Sequence, residues 1–236
     1  MPYTRKIITS VIAAMSLMGM ATTAQAEEDK PYYIAGFIGA VFAQDQTATG
    51  QTAGGAPREV VTEFENGGLF GGAIGARVLN YGDATLRTEL EATYRQVQVL
   101  DGSFNGGNQT FFGEQDVLTI MVNAAVDYDA FGGAVKPFVG VGIGVLNIDS
   151  NVQYRPPSGA LLGLNNTTTN AAVQVFGGAS VPLNEQVDFF FQGGYLTGLG
   201  EADFERRIVS AGGVLDSIVS ERYEEASVRG GLRFNF

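Results

Sequence analysis

The sequence predicts an all-β chain that forms a transmembrane, eight-stranded, antiparallel up-and-down β-barrel, with short periplasmic turns and long extracellular loops. Three observations predict it. Polar and apolar residues alternate with period two along successive segments, so each segment presents two chemically distinct faces of a strand. The polar face is rich in arginine and carboxylate, whereas Lys30 and Lys136 are the only lysines after residue 26. The whole chain has Gly 33 and only 17% charged residues, and after residue 26 no apolar run is long enough for a membrane-spanning helix.

Residues 1–26 have the form of a cleaved signal peptide. Arg5 and Lys6 precede an apolar stretch from Ile7 to about Met20, and Ala24, Gln25 and Ala26 supply a small-residue cleavage site. Residues 27–236 are then the barrel domain. Losing Arg5 and Lys6 with no acid takes the formal charge from -11 to -13, which disfavours nucleic acid as a partner. With Cys 0, neither a lipid-modified cysteine nor a disulfide framework is available.

The first strand runs from about Tyr32 to Ala43, with Tyr32, Ile34, Ile38 and Phe42 on one face. A polar connection, Gln44 to Thr62, follows. The second strand, about Glu63 to Leu79, sets Phe70, Ile74 and Val78 against Ala73, Gly75 and Arg77, and the residues Asn80 to Asp83 form a tight turn. In the third, Leu86, Leu90, Ala92 and Tyr94 alternate with Arg87, Glu89, Glu91, Thr93 and Arg95. After the connection Asp101 to Glu114, the fourth carries Leu118, Ile120, Val122, Val126 and Tyr128 opposite Thr119, Met121, Asn123 and Asp127.

Asp129 to Lys136 turns the chain back. The fifth strand sets Val139, Val141, Ile143 and Val145 against Gly140, Gly142 and Gly144, a face left empty for bulky neighbours. Ser150 to Thr168 is the next long connection, before a sixth strand from about Thr169 to Val181 and a short turn at Pro182 to Gln186. The seventh sets Phe189, Phe191 and Tyr195 against Asp188, Phe190 and Gln192. Thr197 to Glu221 is the last long connection. The eighth strand places Val228, Leu232, Phe234 and Phe236 opposite Arg229, Arg233 and Asn235.

A soluble sandwich shows water its polar face, so charges there are solvated and worth little. Here Arg77, Arg87, Glu89, Glu91, Arg95, Asp127, Asp188, Arg229 and Arg233 share one face, in a form that suits enclosed pairing. An eight-stranded barrel is barely wider inside than its side chains, so these nine residues are expected to form an ion-pair network that plugs the lumen. Aromatic girdles are expected at the lipid boundaries, with Tyr81, Tyr128, Phe138, Phe189, Phe234 and Phe236 near the short turns and Phe42, Tyr94 and Tyr195 at the other end.

The signal segment, the opening Tyr32 to Gly36, the glycine-rich Pro137 to Gly144 and the closing Gly230 to Phe236 together resemble small eight-stranded outer-membrane barrels of the OmpA-like and opacity-protein group. That resemblance spans residues 27–236. It implies a Gram-negative outer-membrane location, outer-membrane lipid and lipopolysaccharide as surroundings, and a terminal Phe236 read by the barrel-insertion machinery.

Outer-membrane barrels that are enzymes rely on a histidine, and this chain has His 0 and Cys 0, which removes the usual general base and the strongest nucleophile. No catalytic, cofactor-binding or metal residues are therefore expected. Glu89 and Glu91 form a ladder with Arg87 and Arg95 rather than an acid–base pair. The acidic groups Glu201, Asp203 and Glu205, and Glu221, Glu224 and Glu225, are expected to be solvated loop positions. The expected role is structural and surface-interacting: envelope integrity, adhesion or surface antigen, with a host or surface partner met through the loops. The alternatives are a narrow porin or hydrophobic-ligand channel and, third, an enzyme acting on envelope lipids.

Overall fold

Within a bilayer no solvent hydrogen-bonds to the backbone, so a sheet that enters one must close on itself. The structure, a computed structural model, describes residues 30–44, 46–52, 57–104, 107–155, 162–199, 202–210 and 213–236. The signal segment 1–26 and Glu201 lie outside the described residues, as do the side chains of Asp203, Glu205 and Glu221. Eight strands close a ring. β1 (Tyr32–Ala43) pairs with β4 (Gly67–Tyr81), which pairs with β5 (Ala84–Phe104); β6 (Gly107–Tyr128), β7 (Lys136–Arg155), β8 (Leu162–Pro182) and β9 (Val187–Gly198) follow in order. The final strand, β12 (Glu224–Asn235), lies between β9 and β1. Every pairing is antiparallel.

The closing seam runs in register from Tyr33 opposite Asn235 to Ala43 opposite Glu225. Phe236 N extends it, donating to Tyr32 O at 3.0 Å. At the short-turn end, Gly82 takes the left-handed backbone (φ 58) that the tight turn into β5 requires. A 3-10 turn, Phe131–Gly133, links β6 to β7. Asn184 Oδ1 closes the β8–β9 turn by accepting from the backbone N–H groups of Gln186 and Val187, both at 2.9 Å.

Burial is inverted relative to a soluble protein. Ile38 is 73% exposed and Val139 66%, while Arg87 and Glu91 are 1% and 0% exposed. Because the closed sheet is a single layer, a buried side chain on it faces the lumen. Outward apolar positions on β6 run from Leu118 to Tyr128, matching the roughly 9–11 residues that a tilted transmembrane strand needs. Inward glycines make room for rings: Gly75 faces Tyr33, Gly140 faces Phe176 and Gly71 faces Phe37, each closely enough that a Cβ would collide.

Two expectations are corrected. The long connections are largely β-structured. β2 (Gln46–Thr52) and β3 (Pro57–Phe64) occupy the first, β10 (Ala202–Ser210) and β11 (Gly213–Glu221) the last, and β5 to β8 continue well beyond the apolar belt. These extensions pair in the order β10-β11-β2-β3-β5. The second strand of the ring accordingly begins at Gly67, and Phe64 belongs to β3. Polar segments such as Thr47 to Thr52 read as loops because their threonine, alanine, glycine and glutamine residues offer no apolar face, so the alternation that marks a lipid-facing strand is absent. Phe138, expected in the outer girdle, is instead buried in the lumen at 5% exposure, on the face it shares with Gly140.

The inward and outward glycines have different tolerances. Gly144→Val would drive a Cβ against Ile120 O and Met121, so it should destabilise the barrel by about 1–3 kcal/mol. Gly193→Val meets nothing nearer than Ser227 O at 3.9 Å and should stay within about 0.5 kcal/mol of wild type. Urea midpoints of the refolded protein, read from the heat-modifiable electrophoretic band, compare them; equal losses would refute the face assignment.

Candidate functional site

Period-two geometry brings one face of all eight ring strands into the lumen, and the nine predicted charged residues lie there. Arg87, Glu89, Glu91, Arg95, Asp127, Asp188, Arg229 and Arg233 are buried, and Arg77 is partly exposed. They form four groups rather than a single ladder, with Asn123 bridging the first two.

The first group centres on Arg87. Its Nη1 lies 2.5 Å from Glu89 Oε2, and its Nε contacts both oxygens of Asp127 at 3.1 and 3.0 Å. Tyr33 OH accepts from Arg87 at 3.2 Å and donates to Glu89 at 2.8 Å. The guanidinium also stacks over Phe138, 5.0 Å from the ring centroid. Such charge-assisted bonds are strong only where water is excluded.

In the second, Arg229 grips Glu91 with both terminal nitrogens, at 2.8 and 2.7 Å, across the lumen from β12 to β5. Thr93 Oγ1 donates to Glu91 Oε1 at 3.0 Å, and Asn123 Nδ2 bridges Glu89 and Glu91 at 3.1 Å each. Gln174 Nε2 donates to Asn123 Oδ1 at 2.7 Å. Gln192, oriented so that both its amide atoms are satisfied, accepts from Arg229 Nε at 3.1 Å. Phe37 lies under the guanidinium at 4.2 Å.

The third lies at the short-turn mouth. Arg77 Nη2 donates to Asn235 Oδ1 at 2.9 Å, and Asn235 Nδ2 donates to Asp188 Oδ2 at 3.1 Å. Arg77 and Arg233 approach that same carboxylate at 3.7 and 4.0 Å. Arg233 Nε has no hydrogen-bond partner. The rings of Tyr33 and Phe190, at 4.9 and 5.6 Å, offset that loss through cation–π contact.

Toward the long-hairpin end Arg95 pairs with a residue that the sequence misassigned. Glu225, expected on a solvated loop, is 1% exposed in the lumen with Oε1 2.5 Å from Arg95 Nε. The two atoms are close but off the hydrogen-bonding direction, so this is an ion pair by distance without a directed bond. Arg95 Nη1 donates instead to Thr119 Oγ1 at 2.8 Å, and Tyr223 OH donates to Glu225 Oε2 at 2.5 Å. Among the described residues the lumen thus holds five arginines (77, 87, 95, 229, 233) and five carboxylates (Glu89, Glu91, Asp127, Asp188, Glu225).

The cavity among Ala35, Phe37, Ala73, Glu89, Arg229 and Arg233 has a volume of about 10 Å³, room for one water. No three His, Cys, Asp or Glu side chains among the described residues stand close enough together to hold a metal ion.

The reassignment of Glu225 is directly testable. Glu225→Ala strands Arg95 without its carboxylate and should cost about 3–5 kcal/mol. Its neighbour Glu224 bonds the partly exposed Tyr195 OH, so Glu224→Ala should change stability by no more than about 0.5 kcal/mol. Equal shifts in urea midpoint would return Glu225 to solvent.

No protein-family model matches the chain, and no curated protein does. Solved structures do. A major outer membrane protein from Thermus thermophilus is similar at 15% identity and a TM-score of 0.52, over 87% of this chain and 99% of that one. The outer membrane protease OmpT from Escherichia coli is similar at 10% identity and 0.54, over 92% and 100%. Neisserial surface protein A gives 16% identity and a TM-score of 0.46 over 88% and 98%. The likeness to the first two is, at these identities, one of fold, and the fold is the closed antiparallel barrel of outer-membrane proteins.

Proposed function

We propose that this chain is a non-conducting, non-catalytic outer-membrane barrel that anchors a β-structured projection at the cell surface. The observation that carries the reading is the filled lumen. Side chains from all eight ring strands pack it, and the cavity beside Arg229 and Arg233 admits one water. The projection of β2, β3, β10 and β11, continuous with the wall through β5, supports a role in surface interaction: envelope integrity, adhesion or antigen display. His 0 and Cys 0 support a role without catalysis.

In this reading the belt of Ile38, Val139, Val141 and Ile143 meets lipid, and the projection stands among lipopolysaccharide in a Gram-negative outer membrane. Residues 1–26 direct export, and Phe236 is read by the barrel-insertion machinery. The short turns face the periplasm, as the asymmetry of such barrels requires.

Two measurements test it. Purified, refolded protein should insert into planar bilayers without stable conductance steps; steady steps at every insertion would make it a pore, with the arginine–carboxylate groups as its lining. An epitope inserted between Thr52 and Pro57 should be labelled on intact cells. Labelling only after the outer membrane is permeabilised would reverse the orientation.

A further inference from the structure

Above the Glu91–Arg229 group the lumen changes character. Each of seven consecutive ring strands carries a buried apolar side chain there: Val41 on β1, Leu69 on β4, Val97 on β5, Val117 on β6, Leu146 on β7, Ala172 on β8 and Leu196 on β9, all at 4% exposure or less. The register makes successive members diagonal neighbours. Leu69 is opposite Arg95, two residues from Val97; Val117 is opposite Ile148, two residues from Leu146; and Leu196 is opposite Gln174, two residues from Ala172. They pack as two clusters, Val41, Leu69 and Val97 in one and Val117, Leu146 and Leu196 in the other. The Arg95–Glu225 pair reaches from β5 to β12 at the same end of the lumen.

We infer that the permeability barrier of this barrel is this collar, two apolar half-rings with the Arg95–Glu225 pair beside them, and not the Glu91–Arg229 group beneath it. The inference rests on the reading of the barrel as closed. The physical reason lies in what each layer offers a passing ion. The Glu91–Arg229 layer is rich in donors and acceptors, with Asn123, Gln174 and Gln192 adjoining and a one-water cavity beside it, so its partners can be exchanged for water and hydrated ions. The aliphatic half-rings offer no such replacement and stand on both sides of the Arg95–Glu225 pair, and an apolar constriction blocks ions by staying dry. Removing polar contacts below the collar leaves that dry layer intact.

The test compares three proteins in planar bilayers, each first shown to be folded by heat-modifiability. Wild type should be silent. The lower-layer variant Glu91→Gln/Arg229→Gln, which removes both charges and leaves a polar amide at each position, should remain silent. The collar variant Leu146→Ser/Leu196→Ser should conduct, with an open probability at least tenfold above the other two. Where the double collar variant does not refold, Leu196→Ser alone is used, with the same expectation. Conduction by the lower-layer variant, or silence from a folded collar variant, overturns the inference while leaving the closed-barrel reading in place. Conduction by wild type overturns that reading instead.

Discussion

Closure of one sheet is the constraint on which the rest of this molecule depends. In lipid an unpaired N–H or C=O group costs several kcal/mol, so β1 and β12, at opposite ends of the sequence, must pair along their full length. With eight strands the resulting cylinder is too narrow to hold a second layer and too wide to be left empty. The core is therefore inside the cylinder, built from the inward half of every strand. The outward half is free to be apolar, and Ile38, Val139 and Ile143 are.

That geometry determines the chemistry of the lumen. A residue alternating with lipid-facing valines cannot reach water sideways, so a charge placed there must find its counter-charge within the barrel. Arginine meets this need better than lysine, because its planar fork bonds a carboxylate with two nitrogens while its face lies on a ring. Arg229 does both, holding Glu91 and covering Phe37. Buried ion pairs are weak evidence for net stabilisation, since desolvation opposes the attraction. Their effect here is specificity of register: sliding β12 by one residue would turn Arg229 and Arg233 outward into the belt.

The ring strands were legible in the sequence because lipid on one side and a packed lumen on the other keep the period of two intact. Phe138 shows how the same signal can be overruled wrongly. Its parity with Gly140 and Gly142 already put it inside, but its position at the apparent lipid boundary suggested a girdle. Glu225 is similar: it lies four residues before Arg229 on the same face, yet its neighbours Glu221 and Glu224 made it look like part of a wet loop. The partner of Arg95 was beyond reach by any local pattern, because pairing β5 with β12 across the lumen depends on the tilt and stagger of the whole barrel. The strands β2, β10 and β11 read as loops because their segments lie inside polar stretches between the ring strands, and β3 reads in part as the start of the second ring strand because Phe64 falls in phase with it.

Those four strands change what the barrel presents outward. Four independent loops would each incur an ordering cost when a partner binds. Here the first and last long connections are joined, Thr49 to Thr52 of β2 pairing with Ser217 to Ser220 of β11, and β3 is joined in turn to the upper part of β5. The projection is thus a continuation of the wall, and segments far apart in sequence share one sheet. A partner meeting this surface meets backbone already ordered by hydrogen bonds. By the same pairing, a shift in the register of the β2–β3 hairpin moves the edge on which β11 pairs.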